Sequence, residues 1–156
     1  MALSDLLLKS TITLNLDSQS SSDVIQHLGS KLLDAGLVKA SFVNAALERE
    51  KIMPTGLPLG GTINAAIPHT DVEHVYKAGV AMATLTQPVT FQNMVNPTEG
   101  VEVRIVFLLA LDQPKSQIEM LQEIAGVLQN PNLIEGLVSA KSIPEALQLI
   151  KDASSG

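Results

Sequence analysis

The nine residues Glu102-Val-Arg-Ile-Val-Phe-Leu-Leu-Ala110 constrain the fold more than any other stretch of the chain. The segment is rich in β-branched residues, and past Arg104 it turns apolar on both faces. A strand that hides both faces belongs in the middle of a sheet with a layer on each side. Three shorter runs supply neighbours. Thr11 to Leu16 alternates, with Ile12, Leu14 and Leu16 on one expected buried face. Asn64 to Ile67 and the Ala-rich Ala78 to Leu85 also read as strands, and Pro88 to Phe91 as a short separate one.

Helical spacing fills the rest. A helix capped by Ser22 and ended by Gly36 turns Val24, Leu28, Leu32 and Leu33 inward. A second, capped by Ser41 and running to about Lys51, turns in Val43, Ala46 and Leu47 and carries Arg49 and Lys51 in its last turn. After the central strand, a helix from about Lys115 to Gln129 presents Ile118, Leu121, Ile124, Ala125 and Leu128. Asn130-Pro131 opens a short helix. Ser142-Ile-Pro-Glu145 forms a capping box for the last one, which buries Ala146, Leu149 and Ile150 before a frayed tail from Ala153. The expectation is one α/β domain over residues 1–156, core about 11–151, with a mixed sheet between helices and no strict βαβ alternation.

Composition excludes several function classes. Cys is absent, which removes disulfides, thiolate metal sites and a thiol nucleophile. Net charge is −6 with no Lys/Arg cluster, so nucleic acid is not an expected partner. The start Met1-Ala2-Leu3-Ser4-Asp5 lacks the features of a signal peptide, and the longest apolar run, Ile105 to Leu111, is too short to cross a bilayer. A cytoplasmic protein is expected.

The chemistry is expected at Ala66-Ile67-Pro68-His69-Thr70. Pro68 has no amide donor and a fixed φ, so the strand should stop there and leave His69 at its edge. Neutral imidazole is a good nucleophile near pH 7. The alternatives are weaker. His69, Asp71, Glu73 and His74 lie too close in sequence for easy convergence on a metal, and H-x-x-x-x-H is not the one-turn helical pair. Gly56, Gly60 and Gly61 match neither a Walker loop nor a dinucleotide fingerprint. His27 reads as a solvated helix residue, and Arg104 as a strand residue facing solvent or a carboxylate.

Arg49-Glu50 at a helix end, then Pro54-Thr55-Gly56-Leu57, then Ala66-Ile67-Pro68-His69 resembles the IIA component of the bacterial sugar phosphotransferase system, fructose/mannitol superfamily. The likeness runs from about Leu14 to Ile150. His69-Thr-Asp-Val-Glu-His74, Pro114-Lys-Ser-Gln117-Ile-Glu-Met-Leu121 and Gln129-Asn-Pro-Asn-Leu-Ile-Glu are similar to the galactitol-type branch.

That resemblance implies a mannitol-type IIA fold, an α/β sandwich with a mixed sheet. It implies a phosphocarrier whose histidine takes phosphate from the histidine-containing phosphocarrier protein and passes it to a cysteine of a IIB component. IIB then serves the membrane IIC transporter in uptake of a galactitol-like sugar alcohol. No metal or organic cofactor takes part. His69 would be the nucleophile. Arg49 would contact the phosphoryl group, its planar fork matching phosphate. Thr55 and Thr70 would offer hydroxyls, and Gly56, Gly60 and Gly61 closely approaching amides. Mannitol-type members place a second histidine where this chain has Gln117, and a glutamate just before the active strand, where it reads Gly61-Thr62-Ile63-Asn64. His74 is a candidate substitute for the missing partner. The site should be shallow and partly exposed, since a carrier that holds its phosphate too well does not pass it on. A second class of function is a regulatory IIA-type module whose phosphorylation state controls partner proteins.

Overall fold

A computed structural model describes residues 2–155. Five strands form one mixed sheet: β1 (Leu7–Leu16), β2 (Gly56–Leu57), β3 (Asn64–Ala66), β4 (Gly79–Gln92) and β5 (Gly100–Ala110). The spatial order is β1-β4-β5-β3-β2. β1 runs parallel to β4 and β3 parallel to β5, whereas β4/β5 and β2/β3 are antiparallel. Helices α2 (Ser21–Asp34) and α3 (Phe42–Ile52) cover one face. The short α1 (Leu3–Leu6), with α4 (Pro114–Leu128), α5 (Pro131–Ser139) and α6 (Ile143–Ser155), covers the other.

β5 is the buried central strand its composition requires. Ile105, Phe107 and Leu109 pack into the α4–α6 layer, and Val106, Leu108 and Ala110 into the α2–α3 layer. Val101 and Val103 also join the α2–α3 layer, so the alternation slips once at Arg104. The pairing slips at the same place, between Thr84 and Val89 on β4 and between Asn64 and Ala65 on β3. A bulge of this kind leaves a backbone group without its ladder partner. Arg104 supplies one, its Nε donating to the Leu85 carbonyl at 2.8 Å, and the side chain is half-buried, making this backbone contact in place of the expected carboxylate pair. The same slip lets β4 run unbroken through Pro88, where two strands were expected.

Other boundaries move for local reasons. β1 begins at Leu7, and Asn15 takes φ 55, which turns Leu16 toward the α2–α3 layer, away from the Ile12 and Leu14 side. Ser20, not Ser22, caps α2, accepting from the Asp23 amide at 3.1 Å, and Leu33 faces outward. In α4, Met120, Ile124, Val127 and Leu128 are buried, while Ile118 and Ala125 are exposed. Asn130 caps α5, and the Glu145 amide donates to Ser142 at the start of α6. α6 continues through Ser155, so the tail does not fray at Ala153, and Gly156 lies outside the described residues. No helix among the described residues is long and apolar enough to cross a membrane.

Candidate functional site

The sheet holds His69 on a short tether beneath a surface cleft. β3 ends at Ala66, yet the chain stays attached to β5 beyond it, because the Leu109 amide donates to the Pro68 carbonyl at 3.0 Å. His69 then bridges to Leu109 on the most buried strand. The residue is 9% exposed, more enclosed than a shallow site requires. What remains of its surface opens into a cleft of about 320 Å³ lined by Arg49, Ile52, Met53, Pro54, Thr55, Met94 and Pro97.

Within this cleft the ring has a defined orientation. His69 Nδ1 lies 2.9 Å from the Ile67 carbonyl. A carbonyl only accepts, so Nδ1 carries the proton and Nε2 keeps its lone pair. Burial lowers the His69 pKa, and the nearby Arg49 charge acts in the same direction. The Ile67 carbonyl and Asp71 oppose them, with the net shift downward. The imidazole is therefore neutral at pH 7.

Arg49 comes from the last turn of α3. Its Nη1 contacts Asp71 Oδ1 at 3.4 Å, while its Nε is buried with no hydrogen-bond partner. A buried unpaired donor on a cation is costly in isolation and ready for an anion. Gln117, in the first turn of α4, likewise has a buried Oε1 without a partner, but it does not line the cleft.

The other expected residues are placed differently. Thr55 lines the cleft, but its hydroxyl donates to Glu50 Oε1 at 2.9 Å, so that proton is already engaged. Thr70 is buried beside His69. His74 is turned away from the cleft, its Nδ1 2.8 Å from Ser41 Oγ and its Nε2 3.6 Å from Glu73. Gly60 and Gly61 line another cleft, of about 630 Å³, with Leu128, Pro131 and Ile134. Gly56 is buried in β2, where an added Cβ would meet the Gln92 carbonyl oxygen at 2.6 Å. No group of three or more His, Asp or Glu among the described residues converges to hold a metal ion.

Residues 5–153 match the family described as "Phosphoenolpyruvate-dependent sugar phosphotransferase system, EIIA 2". The chain belongs to that family. It is a phosphotransferase-system IIA protein, a phosphotransferase component that carries phosphate on a histidine in sugar uptake. It is 30% identical to the galactitol-specific EIIA component of Escherichia coli (strain K12) over 118 residues, 76% of this chain and 77% of that one. The crystal structure of IIA mannitol from Escherichia coli superposes with a TM-score of 0.76 at 27% identity, covering 90% of this chain and 96% of the other. A complex of enzyme IIA(Mtl) with phosphorylated enzyme IIB(Mtl) from Escherichia coli gives 0.77 at 25% identity, covering 94% and 99%.

Two features of this IIA chain escape a reading of its motifs. Glu50 is a half-buried carboxylate beside Arg49 that engages Thr55 twice. The apolar collar of the cleft joins residues far apart in sequence: Ile52 is 77% exposed, and Met53 and Met94 are also exposed. Exposed aliphatic side chains in Met53 and the Asn93–Gly100 loop are the only sequence signal for it, and that signal is weak.

Proposed function

We propose that His69 is the phosphorylated residue and that Nε2 is its reacting atom. The observation that carries this is the Nδ1 contact with the Ile67 carbonyl, which leaves Nε2 unprotonated in a cleft walled by Arg49. The other two histidines are occupied elsewhere: His27 Nε2 lies 3.0 Å from Thr13 Oγ1, and His74 contacts Ser41 and Glu73.

In the forward step the Nε2 lone pair forms a bond to phosphorus as the donor's nitrogen–phosphorus bond breaks. The three phosphoryl oxygens stay on phosphorus. The Nδ1 proton stays on the ring, and its bond to the Ile67 carbonyl spreads the positive charge the ring gains. That charge keeps the ring a good leaving group for the second transfer, to a cysteine. Arg49 contributes charge stabilisation through the Nε proton it has free.

The donor in this reading is the histidine-containing phosphocarrier protein and the acceptor a IIB component. The collar of Ile52, Met53 and Met94 supports protein docking around the cleft. A sugar alcohol is the cargo this reading favours, since galactitol- and mannitol-specific relatives alike reach 30% identity; the stretches His69–His74 and Pro114–Leu121 lean it toward the galactitol type.

Incubation with phosphoenolpyruvate, enzyme I and the histidine phosphocarrier tests it. One acid-labile phosphate should appear, and should be absent from His69→Ala. Undiminished label in His69→Ala would refute the assignment.

A further inference from the structure

We infer that Glu50 is a positioning residue for His69, holding the imidazole in its Nδ1-protonated tautomer through a chain of hydrogen bonds that runs along the Thr55 and Ile67 backbone. The inference rests on the reading of His69 as the nucleophile.

The chain starts with a carboxylate that grips one residue with both oxygens. The Thr55 amide donates to Glu50 Oε2 and the Thr55 hydroxyl to Oε1, each at 2.9 Å. The Thr55 carbonyl then accepts from the Ile67 amide at 3.3 Å. The Ile67 carbonyl accepts from His69 Nδ1 at 2.9 Å. Next to this line, Gly56 and Leu57 pair with Ala66 and Ala65, so Thr55 and Ile67 are held as extensions of one short ladder. Moving Thr55 therefore moves the carbonyl that decides which ring nitrogen carries the proton.

The carboxylate is an expensive way to make a turn. Burial pushes its carboxyl up to about 7, against the two hydrogen bonds from Thr55. Among the described residues no cation forms an ion pair with Glu50, although Lys51 lines the same cleft. Lys51 is engaged with Glu48 at 3.1 Å, and Arg49 with Asp71. From the elements packed against Glu50, the neighbouring groups are Ser21 and Ser22 of α2 and Thr90 and Gln92 of β4, none of them ionisable near neutral pH. An Asn or Ser would close such a turn with less desolvation. A bidentate acceptor is the feature Glu50 adds, and what it fixes is the segment one hydrogen bond from Ile67, just past β3.

Nitrogen-15 NMR of the His69 ring at pH 8 reads the tautomer directly, and transfer from the phosphorylated histidine phosphocarrier reads the consequence. In the unaltered protein Nδ1 is protonated in a single population. Glu50→Ala and Glu50→Gln should mix the two tautomers. Both should slow maximal transfer by about tenfold or more while the half-saturating donor concentration stays the same, since the reacting atom is misplaced and the docking surface is not. Thr55→Ser keeps both donors and should keep the single tautomer. Thr55→Val keeps only the amide donor, should fall between, and covers the case in which the Glu50 variants fail to fold. A single Nδ1-protonated population in all the folded variants overturns the inference, and so does slowed transfer without tautomer mixing. Persistence of label in His69→Ala would instead overturn the underlying site reading and leave the tautomer result standing.

Discussion

Arg49 reaches Asp71 with one terminal nitrogen, Nη1 to Oδ1 at 3.4 Å, and keeps its Nε buried and unpaired. The guanidinium is thus held by one arm and free along another. The pair is too exposed on the Asp71 side to contribute much stability. Its value is orientation.

Arg49→Lys keeps the charge but loses the planar fork. Loss of a charge-assisted hydrogen bond should slow phosphoryl transfer about 10- to 100-fold, with melting temperature nearly unchanged. Rapid-quench measurement of transfer from the phosphorylated donor checks this. Rates equal to the parent in both Arg49→Lys and Arg49→Ala would remove Arg49 from the chemistry.

The lowered pKa of His69 sets the lower edge of the pH profile. The ring should take up its proton at a lower pH than an ordinary imidazole with its value of 6.5, so loading should hold through pH 7 and fall at lower pH. The linked stability has a definite sign. Below 6.5 the unfolded chain binds the proton more readily than the folded one, so this group weakens the fold as pH drops through its folded value. Loading rates from pH 5 to 8, compared with a ring titration by NMR, would expose a mismatch.

Glu50 acts in the opposite sense. Its carboxyl is raised from 4.5 to about 7, so the folded chain binds its proton more readily across that window. Its contribution should be fully favourable below pH 4.5 and lost as pH rises through 7, on the order of 3 kcal/mol in all. Denaturant midpoints at pH 5 and pH 8 should differ less in Glu50→Gln than in the parent. An unchanged difference would mean that Glu50 does not titrate in this range.

Gly56→Ala places a methyl 2.6 Å from the Gln92 carbonyl oxygen, a backbone atom that cannot swing aside. β2 must shift, at a cost of about 1–3 kcal/mol. Because Gly56 follows Thr55, the same substitution should broaden the His69 ring signals. Urea unfolding with parallel ring spectra checks both, and a stability equal to the parent would show that the strand accommodates the methyl.

Much of the layered architecture was legible because its signals are local. The apolar run ending at Ala110 requires a central strand, and Gly36, Asn130 and Ser142 mark helix ends by their own backbone chemistry. The histidine motif was legible for the same reason. Other features depend on pairing across the sheet. The Arg104 bulge exists only once Leu85 lies beside it, and it is what allows Pro88 inside β4. Three successive serines, Ser20 to Ser22, left the α2 cap ambiguous by two residues. His74 looked like a partner for His69 by spacing, but Ser41, from the other end of the α3 approach, captures it. The Glu50–Thr55 contact spans five residues, yet its relevance depends on Ile67 folding back against Thr55, which no local pattern encodes.

The near-complete enclosure of the His69 ring dictates an order of events. With only a sliver of imidazole reachable through one collar, a donor and an acceptor cannot be engaged at the same time. Turnover must alternate, each visitor leaving before the next arrives. An excess of unphosphorylated acceptor should then act as a competitive brake on loading.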